Sequence, residues 1–142
     1  MAFTHSKNAV LKIDDAGATL RDLSSFLDQA SLERVNDLVE STTFGKSSKT
    51  YEAGLNDGTI PYSGFWDPTA TTGPDAILTG LLGLATASDF EFYPAGEPVG
   101  ATKPKYTGTL RVKDYKIDGQ VGDLVKFSGT FQITGDVTRA TS

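Results

Sequence analysis

The 142-residue chain has no cysteine and a single histidine, His5. Without thiols, neither a disulfide framework nor a thiolate metal site can form. Any nucleophile activated by a histidine would have to be built on His5 alone. That residue lies in the polar stretch "MAFTHSK", which reads as exposed or disordered chain. Long apolar runs are missing as well. The longest, "AILTGLLGLATA" at 76–87, falls well short of a membrane span. The early "AVLKI" is too short and too charged for the core of a secretion signal, and no N-x-S/T sequon occurs. These absences lead to the expectation of a soluble domain made inside the cell, without a membrane partner.

Positive charge is also in short supply. Lys and Arg number 13 against 18 for Asp and Glu, a net charge of −5. Such a balance is poorly suited to gripping nucleic acid, because phosphate binding is driven by Lys and Arg. It suits a surface that nucleic acid passes without sticking. The glycine-rich phosphate loops and the nucleophile elbow are absent. Aspartates are plentiful, but Asp14, Asp15, Asp57, Asp118, Asp123 and Asp136 stand beside or near glycines, where Asp serves turn chemistry. "DPTATTGPD" and "DGQVGD" lack the spacing of a calcium loop. With no convergent catalytic constellation, neither an enzyme nor a cofactor is expected. The aromatics Tyr62, Phe65 and Trp66, with Tyr51 and Tyr93 elsewhere, could stack on a sugar, fill a core or line a seam between subunits.

What is present is β patterning. In "DLVKFSGTFQIT" (123–134), Val125, Phe127, Phe131 and Ile133 alternate with polar residues, and Gly129 marks a close approach or a bulge. "YTGTLRVKDYKID" (106–118) alternates too, but its apolar parity switches from Leu110 and Val112 to Tyr115 and Ile117. One extra residue at Lys113–Asp114 accounts for the switch, as in a β-bulge. The turn "DGQVGD" joins the two as a hairpin. Further strands are expected at 8–14, 58–67 and 88–94. One helix is signalled over 73–85, with Pro74 at its first position, Asp75 at the positive end of the dipole and a stripe of Ile77, Leu78, Leu81, Leu82 and Ala85. Segment 20–44 has no Gly or Pro and fits either an amphipathic helix at 25–40 or two strands. The whole chain, 1–142, reads as one mainly β domain, a β-sandwich or partial barrel with one α-helix. Residues 42–58, "TTFGKSSKTYEAGLNDG", form an arm too polar for its own core, with only Phe44, Tyr51 and Leu55 as sizeable apolar groups.

The order of these features resembles the tail tube (major tail) proteins of long-tailed, non-contractile bacteriophages. The likeness is carried by D-L-S-S-F-L at 22–27, T-T-F-G at 42–45, G-L-N-D-G-T-I at 54–60, S-G-F-W-D at 63–67 and the closing T-F-Q-I-T-G-D-V-T at 130–138. The resemblance implies that 20–44 is largely extended. It also implies a subunit assembled in six-membered rings, whose inner sheets close into a barrel and whose rings stack into a virion tail tube that conducts DNA. The implied partners are further copies of the chain, a tail tip protein and a tail terminator. Synthesis would be in the host cytoplasm. On this reading Phe44, Tyr51 and Leu55 contact a neighbouring subunit across a flexible reach, and the termini, "MAFTHSK" and "VTRATS", add bridging contacts. Glu33, Asp37, Asp89 and Glu91 are the acidic candidates for the lumen. The alternatives are the tube of a bacterial secretion or injection apparatus and a monomeric carbohydrate-binding β-sandwich using Tyr62, Phe65 and Trp66.

Overall fold

The alternation of "KFSGTFQIT" builds the centre of the molecule. In the computed structural model, which describes residues 3–142, this stretch opens β8 (Lys126–Ala140) and pairs along its length with β7 (Lys105–Asp118). The other elements are β1 (Val10–Asp14), β2 (Leu20–Asp22), β3 (Leu27–Ala30), β4 (Glu33–Glu40), β5 (Tyr51–Phe65), α1 (Pro74–Leu81) and β6 (Ser88–Tyr93). All eight strands belong to one antiparallel sheet of order β2-β1-β6-β7-β8-β5-β3, with β4 also paired to β5. Leu11 and Ile13, towards one end of that order, share a buried cluster with Ile60 and Tyr62, towards the other. The sheet is therefore curled into a half-barrel, the partial-barrel form of the expected mainly β fold. A turn of 3₁₀ helix, Ser24–Phe26, bridges the opening: the Leu11 amide donates to Ser24 Oγ (2.9 Å), and the Leu23 amide to the Leu11 carbonyl (3.0 Å).

Helix α1 covers the concave face with Ile77, Leu78 and Leu81. It is shorter than the expected 73–85, because Leu82 is already its cap and Gly83 turns left-handed at φ 81°. The bulge falls where the parity switch put it, between the pairs Val112↔Phe131 and Asp114↔Thr130. Asp114 anchors it, since its carboxylate accepts from the Thr130 amide (2.6 Å) and its carbonyl from the Tyr62 hydroxyl (3.0 Å). Gly129 is the close approach: a Cβ there would stand 2.6 Å from the Tyr62 hydroxyl oxygen. Segment 20–44 is extended, as the resemblance implies, and the helix at 25–40 does not form. The helical spacing of Phe26, Leu27, Ala30, Leu38 and Val39 is split: the first three pack against the core, whereas Leu38 and Val39 are 64% and 58% exposed on β4. Pairing with β5 decides the conformation instead.

Candidate functional site

β4 and the first part of β5 make a hairpin that leaves the body of the sheet. Its register runs from Glu33↔Thr59 to Glu40↔Tyr51. All eight residues of β4 are exposed, as are the first seven of β5. The arm is therefore longer and more regular than residues 42–58 alone suggest. Residues 51–58 are strand, and only 41–50, which include the Gly/Ser/Lys stretch, form the connecting loop. The loop is tied at its base, where the Ser41 amide donates to the Thr50 carbonyl (2.8 Å) and the Thr50 amide to Thr42 Oγ1 (2.9 Å). Midway along, β5 bulges opposite Asp37. Gly54 is required there, because a Cβ would lie 2.6 Å from the Asp37 carbonyl oxygen. The Asn36 side-chain amide holds the bulge through the Gly54 carbonyl (3.1 Å) and Asn56 Oδ1 (2.6 Å).

The three contact candidates are distributed along this hairpin. Phe44 is fully exposed in the loop, Tyr51 is half exposed opposite Glu40, and Leu55 is 81% exposed at the bulge. Val35, Leu38 and Val39 complete the set of exposed apolar groups on the hairpin; sequence reasoning gave Leu38 and Val39 to a helix and Val35 to a strand, and named none of them as a contact. At the root of the hairpin the sheet forks: β5 and β8 pair only as far as Thr59↔Gln132. The Gln132 amide plugs the fork by donating to Asp57 Oδ1 (2.8 Å) and the Gly58 carbonyl (3.0 Å). Past the plug lies an open wedge of about 550 Å³ lined by Arg34, Asn56, Ile133 and Val137 among others.

All four acidic candidates lie on the face of the sheet turned away from the core. Glu33 alternates with Arg34 and accepts from the Thr59 hydroxyl (3.2 Å), and Asp37 has the same parity. Asp89 and Glu91 flank the buried Phe90. The two pairs are not brought together: β6 and β4 are four strands apart, about 19 Å along the sheet. Asp14, read from sequence as a turn residue, joins the β6 pair. The register Ile13↔Phe90 puts it beside Asp89. Burial, and then the charges of Asp89, Asp15 and Glu91, push its carboxyl above the usual range. Glu91 accepts from the Tyr93 hydroxyl and with burial raises that phenol to about 12. Lys12, the cation in this row, is engaged with Glu97 (3.0 Å) and lies 5.8 Å from the Tyr93 ring centre.

The aromatic platform does not exist. Tyr62 is 4% exposed and stacks on Phe131 at 4.3 Å. Burial raises its phenol strongly. Trp66 packs against the core and donates through Nε1 to the Tyr115 hydroxyl (3.1 Å), which in turn donates to Asp75 (2.9 Å). Phe65 is exposed beneath the Lys126 ammonium instead. Strand alternation puts residues 62 and 66 on the core side and residue 65 on the other, which disperses the trio. Of the termini, Met1 and Ala2 lie outside the described residues, and Phe3 is exposed. Val137–Ala140 of "VTRATS" are not a free tail: they belong to β8, with Ala140 opposite Lys105. Among the described residues no group of three or more His, Asp or Glu is placed to hold a metal ion.

No protein-family model matches the chain, and no curated protein matches it in sequence. Solved structures do match in fold. A chain from the tail of a gene transfer agent particle, refined helically with C6 symmetry, superposes with a TM-score of 0.79 at 12% identity, over 97% of this chain and 99% of that one. The SPP1 tail tube matches with a TM-score of 0.78 at 8% identity, over 99% and 80% of the two chains. A chain of the anti-feeding prophage baseplate, 6-fold symmetrised, matches at 0.70 and 10% identity, over 99% and 95%. The likeness in fold extends over almost the whole of this chain. This chain has the tail tube fold.

Proposed function

We propose that the chain is a structural virion protein that polymerises as stacked six-membered rings into a tail tube through which DNA enters the host. The observation that carries this reading is the β4–β5 hairpin, which holds six exposed large apolar residues far from the core. A monomer gains nothing from such a surface, and exposed apolar patches of this kind mark protein contacts. The C6 tail of similar fold supplies the geometry in which the contacts repeat. The open edges at the fork of β5 and β8 suit strand pairing between copies, which closes a sheet into a barrel when the rotation closes. Phe44, Tyr51 and Leu55 then bind a neighbouring copy together with Val35, Leu38 and Val39. Glu33, Asp37, Asp89 and Glu91 face the lumen, where negative charge repels phosphate and lets DNA slide. A tail tip protein and a terminator complete the two ends in the virion, after synthesis in the host cytoplasm.

Likeness in fold to a chain of the sheath–tube complex of an extracellular contractile injection system favours a second reading, the tube of an injection apparatus. A sugar-binding monomer loses its basis with the burial of Tyr62 and the packing of Trp66 against the core. Negative-stain electron microscopy of dilute and concentrated protein, with and without a tail-tip nucleus, tests the proposal. Hollow tubes or six-fold rings are expected. A folded chain that stays monomeric with the nucleus present overturns it.

A further inference from the structure

The chain contains two Asp–Gly pairs, Asp57–Gly58 and Asp118–Gly119, and no Asn–Gly pair. Such a pair carries its own chemistry. Glycine puts no side chain in the way when its amide nitrogen approaches the preceding carboxyl. The two pairs stand in opposite surroundings. Asp57 is held in mid-strand, where it and Gly58 lie across from Val35 and Arg34 of β4. The Gly58 N–H donates to Asp57 Oδ1 (2.8 Å), which aims the hydrogen, not the nitrogen, at the carboxyl. Gln132 grips Asp57 Oδ1 (2.8 Å) and the Gly58 carbonyl (3.0 Å) as well. Gly58 is buried, and a Cβ there would stand 2.8 Å from the Glu33 carbonyl oxygen, so the backbone has no room to turn. Ring closure through Asp57 needs its ψ to leave the strand value of about +135°, which would break the root of the hairpin.

Asp118 has none of these restraints. It is the last residue of β7, and its pair with Lys126 is the last of the β7–β8 ladder. Its side chain has a long contact with Lys116 (3.5 Å), and both groups are more than half exposed. Among the described residues the Gly119 amide donates no hydrogen bond. A Cβ at Gly119 would meet nothing nearer than Val125 Cγ2, at 4.0 Å. Every residue from Asp118 to Lys126 is exposed. A strand end with so little buried around it opens at small cost.

We propose that Asp118–Gly119 is a self-modification site at which aspartate converts to isoaspartate, while the fold protects Asp57–Gly58 from the same reaction. The Gly119 nitrogen attacks Asp118 Cγ. A C–N bond forms, a Cγ–O bond breaks, and the carboxyl oxygen leaves as water with the amide proton and a second proton from solvent. The product is a succinimide. Water then adds back at either carbonyl carbon. Addition at Cγ restores aspartate. Addition at the main-chain carbon breaks its bond to Gly119 and leaves the chain running through Cβ and Cγ, with a free carboxylate on Cα. Mass and net charge are unchanged, and water is the only co-reactant. The turn gains a backbone methylene where no core lies beneath it, so the subunit stays folded and carries a mark of its age. This chemistry does not depend on the tube reading.

The test compares the two sites within one chain. Full-length protein is held at neutral pH, native and unfolded in urea, until the unfolded sample shows isoaspartate at both sites by electron-transfer mass spectrometry. Trypsin releases 117–126 as the peptide that reports Asp118. In urea the two sites should react at similar rates. In the native protein Asp118 should exceed Asp57 by about tenfold or more, since tenfold corresponds to only about 1.4 kcal/mol of local opening. Gly119→Ala, at a position whose φ is not left-handed, should suppress the native reaction several-fold without unfolding the chain. Equal native rates, faster reaction at Asp57, or native protection of both sites overturns the proposal. So does an unchanged yield in Gly119→Ala. An equally large preference for Asp118 in urea would mean that neighbouring sequence, not the fold, selects the site, and overturns it too.

Discussion

Strand β5 is two strands in one. From Gly58 to Gly64 it alternates between buried and half-buried, with Ile60 at 1% and Tyr62 at 4% exposure. From Tyr51 to Asp57 every residue is exposed, Leu55 at 81%. Both halves are hydrogen-bonded strand, and both carry apolar side chains. Forming a strand and burying it are thus separate events in this molecule. An isolated two-stranded hairpin is marginal in water. The distal half holds its shape by continuity with the core-backed half, and through the bonds of Asn36 across the bulge. Its apolar groups serve something outside the subunit.

The largest effect should come from removing the distal half. Deletion of residues 46–53 takes out half of the loop and the pairs Glu40↔Tyr51, Val39↔Glu52 and Leu38↔Ala53. It touches none of the buried cluster. Circular dichroism should report a folded β protein with a cooperative melt, while microscopy finds no tubes. Normal tubes from the deletion variant would erase the distinction between the halves.

A pair of alanine substitutions sharpens the same contrast. Phe131, 0% exposed and stacked under Tyr62, belongs to the proximal half's packing. Phe131→Ala should cost about 3–5 kcal/mol in a denaturation experiment, from lost burial and the cavity left behind. Leu55→Ala should change subunit stability by less than about 0.5 kcal/mol yet reduce assembly. If Leu55→Ala destabilises the isolated subunit as much as Phe131→Ala, the hairpin packs on its own body and the assembly argument fails.

The difference between the halves also explains how much could be read from sequence. Where a strand backs onto the core, one face is forced to be apolar, and the pattern shows. Phe127, Phe131 and Ile133 made β8 legible, the parity switch at Lys113 located the bulge, and Gly129 marked the crowding against Tyr62. Where no core lies beneath, the pattern carries no such constraint. Leu38 and Val39 fit a helical stripe as well as a strand, and only the partner strand 51–59 decided between them. That Asp89 and Glu91 take the opposite face to Phe90 was legible in β6, because the buried Phe90 fixes the parity. The participation of Asp14 was not, since it depends on a register between strands some 75 residues apart in the chain.

The smallest effect concerns charge on the core-backed part of the sheet, where two adjacent aspartates behave oppositely. Asp15 is held below its ordinary pKa by the Thr19 amide and by Arg21, so it contributes stability above about 3.8 that is lost as pH falls through its lowered pKa. Asp14 is held above its ordinary value, first by burial and then by Asp89, Asp15 and Glu91. The folded state therefore binds its proton more tightly than the unfolded chain does. Its ionised form costs stability at neutral pH, and the cost disappears as pH falls from the raised pKa to about 3.8. Asp14→Asn should stabilise the subunit at pH 7 by a few tenths of a kcal/mol, the scale of a cross-strand like-charge pair partly screened by solvent. The advantage over the wild type should close below pH 4, and Asp89→Asn should capture part of it. A gap between Asp14→Asn and wild type that stays constant from pH 7 to pH 3.5 would mean that packing, not charge, separates them. The acidic row on this face would then impose no electrostatic cost on the subunit.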